Sequence, residues 1–160
     1  MDKILFICIG NSKIIGDSLG PLVGSIILKN KNQMEKNTKI EVLGTITSPL
    51  VYSKIETAIE QINKNEYSKI IIIDSALGNK NNIGEVSINT SNINVGKSIN
   101  KGRLITGDII IKGIVAQNYH NVEKNKEALN KVTLEEIESI SKKVLKIIYS
   151  IIPKKSIKTF

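Results

Sequence analysis

Ile4-Leu5-Phe6-Ile7-Cys8-Ile9-Gly10-Asn11, joined by a short loop to Gly16-Asp17-Ser18-Leu19-Gly20-Pro21-Leu22-Val23-Gly24, is the stretch that decides the fold. An unbroken apolar run ending at a glycine reads as a strand buried on both faces. Asp17 or Ser18 stands where a helix needs its cap. Leu19, Leu22, Val23, Ile26 and Ile27 then recur at helical spacing. Pro21 falls near the first turn, where its missing N–H does no harm. A doubly buried strand running into an amphipathic helix is the opening of an α/β unit on a parallel sheet.

Working outward, the helix is expected to fade into a polar connection over Lys29–Lys36. Lys39–Leu43 reads as a second strand, and Gly44–Leu50, with Pro49, as a loop. Ile55, Ala58, Ile59 and Ile62 mark a second amphipathic helix. Lys69–Ile73 holds four consecutive isoleucines and is closed by Asp74. Its β-branched residues favour the pleated sheet. Asn79–Gly84 reads as a turn, Glu85–Ile88 as a short strand and Asn89–Gly102 as a long loop. Asp108–Ala116 reads as a further strand, followed by a polar link containing His120. Thr133 and Glu136 form a capping-box pattern, opening a last helix through Leu134, Ile137, Ile140, Val144, Leu145 and Ile148. The order β-α-β-α-β-β-β-α predicts a three-layer α/β fold, a mostly parallel twisted sheet with helices on both faces. Residues 1–152 are expected to form one domain and residues 153–160 a C-terminal tail.

Composition narrows the function classes. Aromatic residues make up only 4% of the chain and Trp is absent, which disfavours a nucleic-acid reader that stacks bases on aromatic platforms. The net charge of +8 comes from dispersed lysines rather than a dense basic block. It reads as a solvated surface, with attraction to an acidic partner left open. Cys8 is the only cysteine, so no intrachain disulfide forms, and its apolar neighbours make it a small core residue. The N-terminal apolar run is too short for a signal sequence, and no run reaches the ~20 residues of a membrane span. The expectation is a cytoplasmic protein that engages neither membrane nor nucleic acid.

In parallel α/β sheets, ligands bind beyond the carboxyl ends of the strands. Asp17 follows the first strand and Asp74 closes the third. If the strand order begins 2-1-3, both carboxylates face one crevice. Their mutual repulsion would raise one pKa, so that one acid holds a proton while the other accepts one. Such a pair can activate water and protonate a leaving group. Alternatively, Asp17 and Asp74 can hold a divalent metal that polarises a carbonyl. Each acid also has a plain structural role, as a helix cap or a strand terminus. The glycine loop matches neither the dinucleotide nor the P-loop pattern. His120, the only histidine, has no partner at metal-ligand spacing.

The Ile7–Gly24 stretch resembles the YyaC family of sporulation proteins, a spore-protease-like family. Gly44-Thr45 with Pro49, Ile73-Asp74-Ser75-Ala76-Leu77-Gly78 and Gly107–Val115 are similar to further blocks of that family, in the same order. The resemblance implies a phosphorylase/hydrolase-like fold shared with germination protease and hydrogenase-maturation endopeptidases. It implies a peptide-bond hydrolase linked to sporulation or germination, acting on a protein or peptide in the cytoplasm or forespore. Asp17 and Asp74 look like the two functional aspartates of germination protease and would be catalytic. Asn11, Gly16, Ser18, Ser75, Gly96, Lys101 and Asp108 would support them. Asn11 or loop N–H groups would meet an oxyanion, and Lys101 and Asp108 would orient substrate or tune the pair. No cofactor is expected, although a divalent metal on Asp17 and Asp74 stays open. The histidine that completes a nickel site in the maturation enzymes would fall in Asn89–Gly102, which contains none. A non-catalytic peptide-binding module and a metal-dependent maturation-type endopeptidase are the alternatives. A homodimer is left open.

Overall fold

The structure, a computed structural model, describes residues 2–90, 93–95, 103–105 and 108–152. β1 (Asp2–Cys8) leads through a loop and a 3-10 turn (Ile15–Asp17) into α1 (Leu19–Met34). β2 (Thr38–Leu43), α2 (Tyr52–Glu60) and β3 (Lys69–Gly78) follow. The rest is β4 (Val86–Asn89), β5 (Ile93–Val95), β6 (Arg103–Ile105), β7 (Ile109–Gln117), α3 (Val122–Lys131) and α4 (Leu134–Ile151).

Among the described residues the main sheet has the order β2-β1-β3-β7-β4. Its first four strands are parallel and β4 lies antiparallel on the edge of β7. β5 and β6 form a separate antiparallel pair. Side chains alternate across a strand, and this alternation builds two cores. Ile4, Phe6 and Cys8 of β1 join Ile71 and Ile73 of β3 beneath Leu19, Val23 and Ile27 of α1 and Ile137, Ile140, Val144 and Ile148 of α4. Leu5, Ile7, Ile70, Ile72 and Ile110 face the other way, toward Ile55 of α2. The mostly parallel three-layer α/β architecture is therefore as expected, with the strand order beginning 2-1-3.

Four local expectations change. Lys29–Met34 continues α1, because its polar residues form the solvent face of the helix while Met34 packs back on the core. The polar link after His120 contains α3, whose N-cap Asn121 accepts a hydrogen bond from the Lys124 N–H (3.0 Å). Its only buried apolar anchor is Leu129, too little for a periodic signal. β3 runs past Asp74 to Gly78. The region expected to be a loop over Asn89–Gly102 includes β5, paired with β6.

The glycines of the opening stretch are packing positions. A Cβ on Gly20 would collide with the Ile9 backbone, and one on Gly24 with the Gly44 carbonyl oxygen. Gly44, at φ +93°, packs equally closely on the Cys8 carbonyl. The start of α1 thus lies backbone against backbone on the carboxyl end of β1, a contact only glycine permits.

Candidate active site

Where β1 stops, β3 continues. The β1–β3 ladder ends at Cys8 opposite Ile73, with the Ile9 N–H donating to the Ile73 carbonyl (2.8 Å). Asp74 is the first β3 residue beyond it, still paired with β7 through Lys112. It is only 7% exposed. From β1 the chain moves to β2 on one side, whereas β3 on the other side leads away toward β7 and β4, so the strand order reverses between β1 and β3. A crevice opens between such diverging connections.

Asp17 is delivered to this crevice by a loop folded on itself. The Asn11 N–H donates to both the main-chain oxygen and Oδ2 of Asp17, each at 3.0 Å. The Asp17 N–H donates to the Ile14 carbonyl (2.9 Å). The 3-10 turn carrying Asp17 packs against β3, α1, α3 and α4. Asp17 also forms part of the wall of a pocket of about 450 Å³, with Asn11, Ile14, Val51, Tyr52 and Leu129 and a rim that includes Ser53, Lys126 and Asn130.

Burial governs the electrostatics of both acids. It pushes the Asp17 carboxyl up to about 6, against the hydrogen bond from the Asn11 N–H. It pushes Asp74 higher, to about 8, and the charge of Asp17 adds to the rise. Lys112 and the Ser75 N–H pull Asp74 the other way. The two carboxyls sense each other, so they titrate as a unit. The rise is larger at Asp74, so Asp74 keeps its proton to higher pH than Asp17.

The other expected residues divide sharply. The Asn11 N–H is engaged by Asp17 and so is no oxyanion donor; its Oδ1 accepts from the Lys13 N–H (3.0 Å). Its side chain nevertheless lines the pocket. Gly16 is a packing contact rather than a substrate contact, because a Cβ there would strike the Leu129 carbonyl oxygen. The Ser18 hydroxyl turns back to the Ile15 carbonyl (2.6 Å) and makes no side-chain cap to α1. Ser75 supports Asp74 through its N–H, while its buried Oγ has no hydrogen-bond partner among the described residues. Asp108 is misplaced for the expected role. It precedes β7, where its N–H donates to the Ile70 carbonyl and its Oδ2 accepts from the Ile70 N–H (2.6 Å). It therefore staples the amino end of the sheet, about four strand residues from Asp74, or roughly 13 Å. Gly96 and Lys101 lie outside the described residues. His120 is exposed, its N–H donating to Asn118 Oδ1 (2.9 Å).

Lys112 is a further member of the site, its cation favouring the ionised form of Asp74. The parallel register of β3 with β7 places Lys112 beside Asp74, a pairing with no local mark in the sequence. The donor set does not fit a nickel- or zinc-type centre, which takes three or more ligands from the protein. No third His, Cys, Asp or Glu joins the pair among the described residues. Residues 91–107 and 153–160 contain none of these types at all.

A family model described as "Protein of unknown function (DUF1256)" matches residues 1–147. The uncharacterized protein YyaC of Bacillus subtilis (strain 168) is 32% identical over 113 residues, which are 70% of this chain and 53% of that protein. The chain spans about half the length of this curated relative. The [NiFe] hydrogenase maturation protease HybD from Thermococcus kodakarensis superposes with a TM-score of 0.53 at 17% identity, over 94% of this chain and 99% of that one. A hydrogenase 2 maturation peptidase from a Thaumarchaeota archaeon gives a TM-score of 0.51 at 17% identity, over 93% and 97% of the two chains. The relation to YyaC and the fold of the maturation peptidases, both expected from the motifs, are borne out. Among the described residues no helix is long and apolar enough to cross a membrane.

Proposed function

The chain belongs to the DUF1256 family, and on that premise we propose that it is a peptide-bond hydrolase whose water is activated by Asp17 and Asp74. One observation carries the reading: buried Asp74 and half-buried Asp17, distant in sequence, stand close enough beyond the end of β1 for the charge of Asp17 to raise the pKa of Asp74. The shared fold with two maturation peptidases supports it. At neutral pH, Asp74 keeps the pair's proton and Asp17, on the pocket wall, is the base. Asp17 takes a proton from water as the water oxygen bonds to the peptide carbonyl carbon. The side-chain amide of Asn11 meets the oxygen that becomes negative. The C–N bond then breaks as the nitrogen takes the proton held by Asp17, leaving a carboxylic acid and an amine. In this reading the substrate is a protein or peptide and the activity belongs to sporulation or germination, as the motif resemblance to the YyaC family implies.

The test is a pair of isosteric variants, Asp17→Asn and Asp74→Asn, assayed for peptide cleavage with folding followed by circular dichroism. Each is expected to lose roughly 100-fold or more in turnover while staying folded. Full activity in both variants sinks the mechanism. The apolar pocket at Asp17 also suits a peptide-binding module. A peptide bound tightly but left intact by the unmodified protein over long incubation favours that second reading.

A further inference from the structure

The pocket beside Asp17 is an unusual neighbour for an ionisable acid. Its inner wall is mainly Ile14, Val51, Tyr52 and Leu129, and Leu129 is itself buried in the core. Three polar residues, Ser53, Lys126 and Asn130, are exposed at its edge. Asp74 is not part of the wall. The cavity therefore opens from solvent onto an apolar surface and meets the candidate base on one side.

We propose that this pocket is a specificity subsite that receives one uncharged apolar side chain of the peptide substrate, next to the bond presented to Asp17. The proposal rests on the hydrolase reading for the word substrate, but binding at the pocket is separable from cleavage. Charge selects the occupant. An acidic side chain would be driven against Asp17 in an apolar setting, where like charges are poorly screened. A basic side chain is drawn by Asp17 but would give up its hydration in a mainly apolar cavity whose rim carries Lys126, itself 4.0 Å from Glu123. An apolar side chain meets neither obstacle and gains by leaving water. The exposed Ser53 and Asn130 suit the peptide main chain, which carries its own donors and acceptors. Side chains of Leu, Ile or Met size fit easily within about 450 Å³.

The experiment uses Asp74→Asn, which alters the pair but not the pocket wall, as the binding species. Four blocked pentapeptides that differ only at the central residue, Leu, Ala, Asp or Lys in an otherwise all-Ala sequence, are titrated by calorimetry. The Leu peptide is expected to bind about tenfold or more tighter than each of the others. Ser53→Trp, placed on the same background at an exposed rim position, is expected to abolish that preference while leaving the melting temperature unchanged. Equal affinity for all four peptides, tighter binding of Asp or Lys, or an unchanged preference in the Ser53→Trp protein overturns the proposal. The same peptides given to the unmodified protein separate the two readings. A Leu preference in binding with no cleavage leaves the subsite standing and removes the hydrolase. Cleavage indifferent to the central residue does the reverse.

Discussion

Asp17 and Asp74 are two acids raised by the same cause and distinguished by access. Asp17 touches the pocket; Asp74 lies behind it at the β1 end. If the pair holds one proton during turnover, activity rises with pH as Asp17 ionises near about 6 and falls as Asp74 ionises near about 8. A bell-shaped pH–rate profile with those limbs checks this. Removing the adjacent cation in Lys112→Met moves the upper limb to higher pH, because Lys112 favours the ionised form of Asp74. The same shifts act on stability. A carboxyl whose folded-state pKa lies above its unfolded value binds more protons folded than unfolded, so its contribution is greatest below about 4 and is lost as pH rises through the folded pKa. Asp74→Asn should therefore gain stability relative to the unmodified protein between pH 5 and pH 8, read as a growing difference in denaturation midpoint. Both acids were legible because Asp74 closes an unbroken apolar run and Asp17 precedes a helix, positions that sequence marks even though the strand itself continues to Gly78. Asp108 was misread because an acid bordering an apolar run looks the same at either end of a strand; only the direction of the chain separates a crevice residue from the staple on Ile70.

At the scale of elements, the glycine-rich opening is chiefly an instrument of approach. Its spacing lets α1 descend onto β1 and brings Asp17 with it. Gly24→Ala forces a methyl group into the Gly44 carbonyl and is expected to destabilise by roughly 3 kcal/mol or more. Gly84→Ala, at φ +92° with open space around it, meets only backbone strain of about 1–2 kcal/mol. Chemical denaturation of the two variants gives the contrast. Thr133 accepts a hydrogen bond from the Glu136 N–H (3.2 Å) at the start of α4, the cap that its sequence pattern announced. α3 escaped notice for the opposite reason: its exposed face is nearly all polar, and its burial depends on Leu129 meeting Gly16 from another part of the chain. Tertiary contact, rather than periodicity, fixes that helix.

For the whole molecule, apolar runs without alternation announced a sheet buried on both sides, and the two cores follow from it. The position of β7 between β3 and β4 was not legible, because pairing over so long a separation leaves no local mark. The interior strands β1 and β3 carry the buried isoleucines of both cores, so their amides should exchange most slowly with deuterium. Comparable protection at the edge strand β4 would contradict this ranking. Asp74 is set within a strand that continues to Gly78 alongside β7, whereas Asp17 hangs on a turn outside the sheet. The first acid is anchored to a beam and has no travel; the second is mounted on a bracket. Any adjustment of their spacing during a catalytic cycle must therefore be made by the bracket, and millisecond exchange in NMR relaxation would be found in residues 10–17 while Asp74 stays silent.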